Sequence, residues 1–145
     1  MPHSRGTSTR SPRPFTYSAP RAVVVTTPQA AAQRVAQRAA YLGRRVGLRV
    51  AGVVENMSWF TAPDGTVHEL FGAGGGELLA RELDVPLLGQ VPLDPVVREG
   101  CDCGIPVLVG WPDSDAARAF NALADRVLAL RPSRIRHPEL RVVGT

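Results

Sequence analysis

The feature that most constrains the fold is a short apolar segment, Val50–Val54, which runs directly into the polar pair Glu55 and Asn56. Every residue of the segment is β-branched or small, so no polar side chain would reach either face of a strand. Such a strand is typical of a parallel sheet that helices cover on both faces. Because ligands collect at the carboxyl ends of parallel strands, we expect Glu55 and Asn56 to lie near a ligand.

Charge is distributed unevenly along the chain. Residues 1–21 contain four Arg and no acid, residues 131–145 contain four Arg and one Glu, and residues 22–130 contain nine Arg and twelve acids. The net charge of +4 therefore belongs to the two ends. Their polar, Arg-rich composition predicts a disordered basic tail over 1–20 and a weakly ordered basic tail over 131–145. Nucleic-acid binding would depend on these tails alone and is not expected.

Lysine is absent from the sequence, since all seventeen basic residues are Arg. This excludes the phosphate-binding Lys of a P-loop and a Schiff-base Lys within this chain. No apolar run approaches the roughly 20 residues that a membrane helix needs, and no apolar segment follows the basic N-terminus as in a secretory signal. We therefore expect a cytoplasmic protein without a membrane partner.

The first predicted unit is a strand–helix–strand crossover. Ala22–Val25 forms its first strand and Val50–Val54 its second. Thr27 is expected to cap the helix, which has Pro28 at its first position and runs to about Arg45. The residues expected to line its buried face at helical spacing are Val35, Ala39, Leu42 and Val46.

The remainder predicts further alternation of strands and helices. A loop or small hairpin over Thr61–Leu70 contains the turn Pro63-Asp64-Gly65. Leu87–Val91 is the third buried strand. The other expected elements before the last helix are a helix over Glu77–Leu83, a loop over Pro92–Pro95, a helical turn from Val96 and an extended segment over Ile105–Val109. A final helix is capped by Asp113 and runs to Leu130, and its inward residues are Phe120, Leu123, Val127 and Leu130.

Three groups of residues could carry chemistry, and each has a plainer alternative. The glycines of 72–76 could cradle a phosphate at a helix N-terminus, or could simply be a flexible entry into that helix. Cys101 and Cys103 could ligate a metal, but a structural zinc site needs four ligands. The favoured interpretation is therefore that they are two small thiols in a loop without a metal. Glu55 and Asp94 could act as acid or base, or could cap turns and helices at strand ends.

Five segments, taken in order, resemble a known family: V-T-T-P-Q, G-V-V-E-N-M-S, F-G-x-G-G-G-E-x-L-A, V-P-L-L-G-x-V-P-L-D-P-x-V-R-E-G and G-x-P. Together they look like the C-terminal half of Mrp/ApbC-type iron–sulfur cluster carrier ATPases, which are relatives of MinD and ParA. The resemblance covers about residues 22–130. It implies an α/β fold, namely a partial three-layer αβα sandwich with a mostly parallel sheet, the C-terminal portion of a P-loop NTPase fold over residues 21–130.

The resemblance also implies ligands and site residues. Asn56 matches the Asn that contacts adenine in the wider ATPase group, and Pro92, Leu93 and Asp94 lie in the loop that approaches the base. The implied cofactors are ATP and an iron–sulfur cluster. The implied partners are a second subunit, as a homodimer or as a heterodimer with a full-length Mrp-type ATPase, and apoproteins that receive the cluster.

The chain departs from the family pattern at two sites. The family's P-loop, its Mg²⁺-coordinating Asp and its phosphate-sensing loop precede the V-T-T-P-Q strand, and residues 1–20 match none of them. The cluster-binding C-P-x-C sequence falls at Ala62-Pro63-Asp64-Gly65, where only the proline remains. No metal ligand is therefore assigned, and the role is not transferred to Cys101 or Cys103.

These features lead to two hypotheses about function. The first is a truncated cluster carrier that keeps the adenine-side half of the nucleotide site and is inactive as an ATPase alone. The alternative is a non-enzymatic interaction module that pairs with a full-length Mrp-type partner through Met57, Trp59, Phe60 or the 61–71 loop.

Overall fold

The computed structural model describes residues 20–130, so the two predicted tails lie outside the described residues, except for Pro20. Strands and helices alternate along this part of the chain. The strands are Arg21–Thr26 (β1), Arg49–Asn56 (β2), Phe60–Thr61 (β3), Val67–His68 (β4) and Leu87–Val91 (β5). The helices are Ala30–Arg45 (α1), Gly75–Glu82 (α2), Pro95–Cys103 (α3), Val107–Gly110 (α4) and Asp115–Ala129 (α5).

The main sheet has the strand order β1-β2-β5, and both pairings are parallel. The central strand β2 is buried from Gly52 to Glu55, as its apolar sequence predicts for a strand covered on both faces. The small strands β3 and β4 pair antiparallel in a separate hairpin. The three predicted strands of a parallel sheet are thus confirmed.

Helices cover the sheet on both faces. Helices α1 and α2 enclose one core with β2, formed by Ala36, Ala40, Val53, Leu79, Ala80 and Leu83. Helix α5 covers the other face, where Val54, Leu88 and Val91 pack against its residues Phe120 and Leu123. The three-layer αβα arrangement that the resemblance implies is therefore present.

The start of α1 differs from the prediction. Gln29, rather than Thr27, is the N-cap residue, so Pro28 lies outside the helix instead of at its first position. Pro28 has a different role, because its carbonyl oxygen accepts a hydrogen bond from the Gln33 side chain at 2.7 Å. The Thr27 hydroxyl contacts the Gln29 side chain at 3.1 Å instead of capping the helix.

The buried face of α1 also differs. Ala36 and Ala40 face the core, whereas Val35, Leu42 and Val46 of the predicted face are exposed to 68%, 63% and 69%. The periodic apolar stripe exists, but it is turned away from the sheet by roughly a quarter of a turn. The small alanines let the helix approach β1 and β2 closely, so the larger side chains project from its flank.

The C-terminal half holds further corrections. Helix α2 begins at Gly75, two residues before the predicted start, and α3 is a full helix instead of a single turn. The segment Ile105–Val109 is not extended, since Pro106 caps the short helix α4. In α5 the cap is Ser114 instead of Asp113, and Val127, predicted inward, is 39% exposed. The small hairpin predicted within 61–70 is confirmed.

Across residues 20–130, no helix combines the length and apolar character that crossing a membrane requires.

Candidate functional site

The carboxyl ends of β2 and β5 meet at one edge of the sheet. Asn56, the last residue of β2, pairs in register with Val91, the last residue of β5. The loop that follows Val91 begins with Pro92, Leu93 and Asp94. The structure thus brings together, at the edge where parallel sheets bind ligands, the residues that the resemblance links to a base.

Beyond the strands, the two following loops remain hydrogen-bonded to each other. The Ser58 amide donates to the Val91 carbonyl at 3.0 Å, and the Leu93 amide donates to the Trp59 carbonyl at 2.7 Å. The Ser58 hydroxyl also donates to the Glu55 carbonyl at 3.0 Å. These bonds fix both loops on the rigid strands that precede them.

A cavity of about 220 Å³ opens beside these loops. It is lined by Thr61, Pro92, Leu93, Asp94, Pro95 and Asp115. The Thr61 hydroxyl donates to Asp115 Oδ2 at 3.4 Å, which joins the hairpin to the start of α5. The volume lies below the roughly 300–1,000 Å³ of sites that enclose a whole drug-sized ligand.

At this edge, the Asn56 side chain uses only part of its hydrogen-bonding capacity within the protein. Its Oδ1 accepts a hydrogen bond from the Met57 amide at 3.0 Å. Within residues 20–130 the two donors of its NH₂ group make no hydrogen bond, and they can serve an acceptor on a ligand. Met57 itself has a positive φ of 56°, which is uncommon for a residue with a side chain and is found at tight turns and functional sites.

Asp94 caps a helix, which is the alternative to acid–base chemistry that the sequence left open for this residue. It is the N-cap of α3, and its Oδ1 accepts a hydrogen bond from the Val96 amide at 3.1 Å, while Pro95 occupies the first turn. One carboxylate oxygen is engaged with the helix in this way, and the residue lines the cavity with the remainder of its side chain.

Glu55 is fully buried and does not line the cavity, so it does not lie where the sequence placed it near a ligand. Its carboxylate instead caps the start of a helix, which is the alternative that the sequence left open. Its Oε2 accepts a hydrogen bond from the Gly76 amide at 2.5 Å, and its Oε1 accepts one from the Gln90 side chain at 2.8 Å. The carboxylate therefore links β2, β5 and the first turn of α2. It satisfies the helix N-terminus from inside the protein, as an anion would from outside.

The glycine cluster is explained by close packing, which neither sequence-based alternative anticipates. A Cβ atom on Gly76 would lie 2.6 Å from the Glu55 Cβ, and one on Gly75 would lie 2.4 Å from the Pro28 carbonyl oxygen. Gly74, the N-cap residue of α2, has a positive φ of 75°. The glycines thus let the helix start against β2 and the loop after β1, where Glu55 accepts the hydrogen bond of the Gly76 amide.

The hairpin β3–β4 contains the four residues at the C-P-x-C position. The Gly65 amide donates to the Ala62 carbonyl and the Ala62 amide donates to the Thr66 carbonyl, both at 2.8 Å, and Gly65 has a φ of 84°. This pattern is typical of a three-residue hairpin loop. Asp64 Oδ1 accepts from the Thr66 amide at 2.9 Å, and this bond, with a second from the Thr66 side chain, lowers the pKa of Asp64.

The two cysteines lie elsewhere, near the end of α3, and both are exposed. Residues two apart on a helix point about 200° away from each other, so Cys101 and Cys103 cannot converge on one ion. Within residues 20–130, no group of three or more His, Cys, Asp or Glu side chains is placed to hold a metal.

Three residues that line the cavity, Thr61, Pro95 and Asp115, were not among the predicted site residues. Thr61 and Asp115 lie far apart in sequence and meet only through the packing of the hairpin against α5. Asp115 carries no signal of its own beyond its position in the first turn of a helix. Gln90, which completes the Glu55 network, likewise looks like an ordinary polar residue of a strand.

Comparison with known proteins connects this geometry to a family. The family model described as ParA, NUBPL iron-transfer P-loop NTPase, matches residues 15–128. The iron-sulfur cluster carrier protein of Mycobacterium tuberculosis H37Rv is 48% identical over 109 residues, which is 71% of this chain and 29% of the relative. That of Synechocystis is 46% identical over 108 residues, which is 73% of this chain and 31% of the relative. The chain thus spans about three tenths of the length of these relatives.

Solved structures give the same fold. The cell division ATPase MinD of Pyrococcus furiosus superimposes with a TM-score of 0.62 at 28% identity, over 77% of this chain and 43% of that one. The septum site-determining protein MinD of Pyrococcus horikoshii, solved in complex with Mg-ADP, gives a TM-score of 0.60 at 31% identity, over 75% of this chain and 42% of that one. The chain therefore belongs to the ParA-type family of NUBPL iron-transfer P-loop NTPases.

Proposed function

We propose that this chain supplies the base-side part of the nucleotide site of an iron–sulfur cluster carrier, without the phosphate-binding part. The observation that carries the proposal is that Asn56 pairs with Val91 at the carboxyl edge of the sheet, directly before the residues Pro92, Leu93 and Asp94, which line a cavity there. The free NH₂ donors of Asn56 can bond to a ring nitrogen of adenine, which is an acceptor. ATP, when bound, would supply the phosphoanhydride that this family hydrolyses.

The phosphate side of the site has no counterpart among these residues. A P-loop uses a lysine on the β- and γ-phosphates, and this sequence contains no lysine. The glycines of 72–76 do not replace it, since Glu55 already accepts the Gly76 amide. Phosphate and Mg²⁺ contacts dominate the binding of ATP in P-loop enzymes. We therefore expect no ATP hydrolysis by this chain alone.

Titration of the chain with adenosine, AMP and ATP, each with and without Mg²⁺, tests this proposal. Chemical-shift changes in an NMR spectrum suit the weak binding that we expect, with a Kd of about 1 mM or higher, equivalent to at most about 4.1 kcal/mol. The three ligands should bind about equally and without an effect of Mg²⁺, since only the base is contacted. Tight binding of ATP that depends on Mg²⁺ would contradict the proposal.

Two asparagines allow a matched pair of variants. Asn56→Ala removes the proposed donor and should abolish the shifts, whereas Asn121→Ala changes an exposed residue of α5 and should leave them unchanged. Asp94→Ser keeps a residue that caps helices well, so any loss of binding in that variant reports on the cavity and not on α3. Equal effects of Asn56→Ala and Asn121→Ala would exclude Asn56 from the site.

The iron–sulfur cluster would be the cargo that the family carries, and the residues at the C-P-x-C position of this chain are poorly suited to ligate it. The C-P-x-C position carries no thiol, and its turn is closed by Asp64. We infer that any cluster carried by an assembly containing this chain is ligated by another chain. Reconstitution of the purified chain with iron and sulfide under anaerobic conditions should give no cluster absorption, and a stable cluster would contradict this inference.

A second candidate function, pairing with a full-length Mrp-type partner, is favoured by the apolar side chains of the hairpin region. Met57, Val67 and Leu70 are exposed, and Leu78 of the adjacent helix is half exposed. Such a surface is typical of a contact between proteins. Co-purification with a full-length relative that Val67→Arg abolishes would support this function, and failure of the unmodified chain to co-purify would count against it.

A further inference from the structure

The cavity at the carboxyl edge of the sheet, named here the acceptor cavity, is lined by polar groups of one kind. Asp94 and Asp115 contribute carboxylates, Thr61 contributes a hydroxyl, and no basic side chain lines it. The two prolines of the lining have no backbone N–H, and the Leu93 amide already donates to the neighbouring loop. The lining is therefore rich in hydrogen-bond acceptors and poor in donors.

Both carboxylates keep acceptor capacity after their bonds within the protein. Asp94 uses Oδ1 to cap α3, and within residues 20–130 its Oδ2 makes no hydrogen bond. Asp115 accepts from the Arg118 side chain through Oδ1 and from the Thr61 hydroxyl through Oδ2 at 3.4 Å, which is long for an O–H···O bond. Because an ionised carboxylate has about four acceptor positions, each can take a further donor from a ligand.

The acceptor cavity begins next to the residue that is proposed to hold the base. Asn56 and Val91 are register partners on adjacent strands, which lie about 4.8 Å apart, and Pro92 follows Val91 at about 3.8 Å. A base that accepts a hydrogen bond from the Asn56 amide can therefore present another edge to the acceptor cavity. Donors on that edge would meet the two carboxylates.

We propose that Asp115, together with Asp94, selects a base that carries an exocyclic amino group, and that Asp115 is the specificity-determining residue. The inference rests on the base-side function proposed above and names the group of the base that is recognised. An amino group donates to a carboxylate, and hydrogen bonds to charged acceptors are the stronger ones. A carbonyl oxygen at the same ring position would face the carboxylates with no hydrogen between them. The acceptor cavity therefore favours adenine over a 6-oxopurine.

Two other ligand classes fit the acceptor cavity less well. A phosphate would bring negative charge against two carboxylates, and no basic side chain of the lining would offset the repulsion. A divalent cation such as Mg²⁺ or Ca²⁺ needs at least six oxygen ligands. Within residues 20–130, no group of three or more His, Cys, Asp or Glu side chains is placed to supply them.

The test is a set of NMR titrations of the full chain with adenosine, purine riboside and inosine. At position 6 of the purine these nucleosides carry an amino group, a hydrogen and a carbonyl oxygen. We expect adenosine to bind about tenfold more tightly than either of the others, as the loss of one hydrogen bond to a charged group predicts. The shifts should fall on the backbone amides of Leu93 and Asp115.

A matched pair of variants assigns the preference to one carboxylate. Asp115→Asn has nearly the same shape but presents NH₂ donors, which can bond to the carbonyl oxygen of inosine, so the preference for adenosine over inosine should fall to about twofold or less. Asp125→Asn makes the same change at an exposed residue of the same helix that does not line the acceptor cavity. It should keep the full preference. Circular dichroism verifies that both variants are folded.

The outcomes separate this inference from the function on which it rests. Equal affinity of the unmodified chain for the three nucleosides would overturn the inference and leave the base-side function standing, whereas the absence of shifts with all three would overturn both. An undiminished preference in Asp115→Asn, or an equal loss in Asp125→Asn, would exclude Asp115 as the specificity-determining residue. Shifts of the same amides with Mg²⁺ alone would assign the carboxylates to a cation and overturn the inference.

Discussion

The two sides of strand β2 differ in how completely they are packed. Toward β5, every layer is present, since α2 and α5 cover the faces and Glu55 joins three elements through its carboxylate. Toward β1, both strand β1 and helix α1 carry large apolar side chains that are exposed to water. We therefore expect substitutions on the β5 side of β2 to cost more unfolding free energy than substitutions of the exposed apolar side chains on the β1 side.

The strongest test of this contrast compares two leucines. Leu79 on α2 is fully buried in the core beside β2, whereas Leu42 on α1 is 63% exposed. We expect Leu79→Ala to lower the free energy of unfolding by about 2–5 kcal/mol and Leu42→Ala to change it by less than about 0.5 kcal/mol. Urea denaturation measures both. A similar cost for the two would mean that the Leu42 side of α1 is covered in the isolated chain.

The Glu55 network gives the next largest effect. In Glu55→Gln, the new amide has one acceptor atom for the two donors, the Gly76 amide and the Gln90 side chain. Loss of a charged hydrogen bond in the core should cost about 1.5–3 kcal/mol of unfolding free energy. Glu82→Gln, at an exposed residue that accepts from Gln37, is the matched control and should be nearly neutral. Equal denaturation midpoints would show that the network contributes nothing.

Two helix glycines sharpen the comparison further, because they should respond with opposite signs. A Cβ on Gly76 would lie 2.6 Å from the Glu55 Cβ, whereas one on Gly43 in α1 would lie at an ordinary 3.5 Å from Leu48 Cδ1. Gly76→Ala should destabilise the fold by about 1–3 kcal/mol through overpacking. Gly43→Ala should stabilise it by about 0.5–1 kcal/mol through the higher helix propensity of Ala. If the melting temperatures of the two variants shift in the same direction, this explanation of the two glycines is wrong.

The smallest expected effect concerns acid. Because hydrogen bonds from Thr66 lower the pKa of Asp64, the charged carboxylate stabilises the hairpin turn at pH values above its ordinary pKa of 3.8. That contribution is lost as the pH falls through the lowered pKa. Amide exchange at Thr66 should therefore become faster, relative to neighbouring amides, in strong acid, and Asp64→Ala should remove this dependence. An unchanged profile in the variant would exclude Asp64 as the cause.

Much of the fold can be predicted from the sequence, because buried parallel strands are continuous apolar runs. The segments Ala22–Val25, Val50–Val54 and Leu87–Val91 carry this signal, and all three are strands of the sheet. Periodicity also located the apolar stripe of α1 but could not say which neighbour the stripe meets. The prediction of an extended segment over Ile105–Val109 was wrong for a related reason, because a short β-branched run resembles a strand. Only the packed structure shows that a helix begins after Pro106.

The candidate site was predictable only in part. Asn56 and the Pro92–Asp94 loop could be placed together because strand ends collect at one edge. Their ligand remains a prediction. The Glu55–Gly76–Gln90 contact could not be predicted, since it depends on the approach of three elements separated by long stretches of chain.

The parallel order of the main sheet has a consequence for how this chain folds. Its pairings join residues far apart in sequence, Arg21 with Arg49 and Asn56 with Val91, while the local β3–β4 hairpin contributes little to the core. Sheets built from distant pairings form slowly, because the closure entropy of long loops opposes the first contacts. An unpaired apolar strand edge is exposed throughout that time and favours aggregation. Refolding yield should therefore fall steeply with protein concentration.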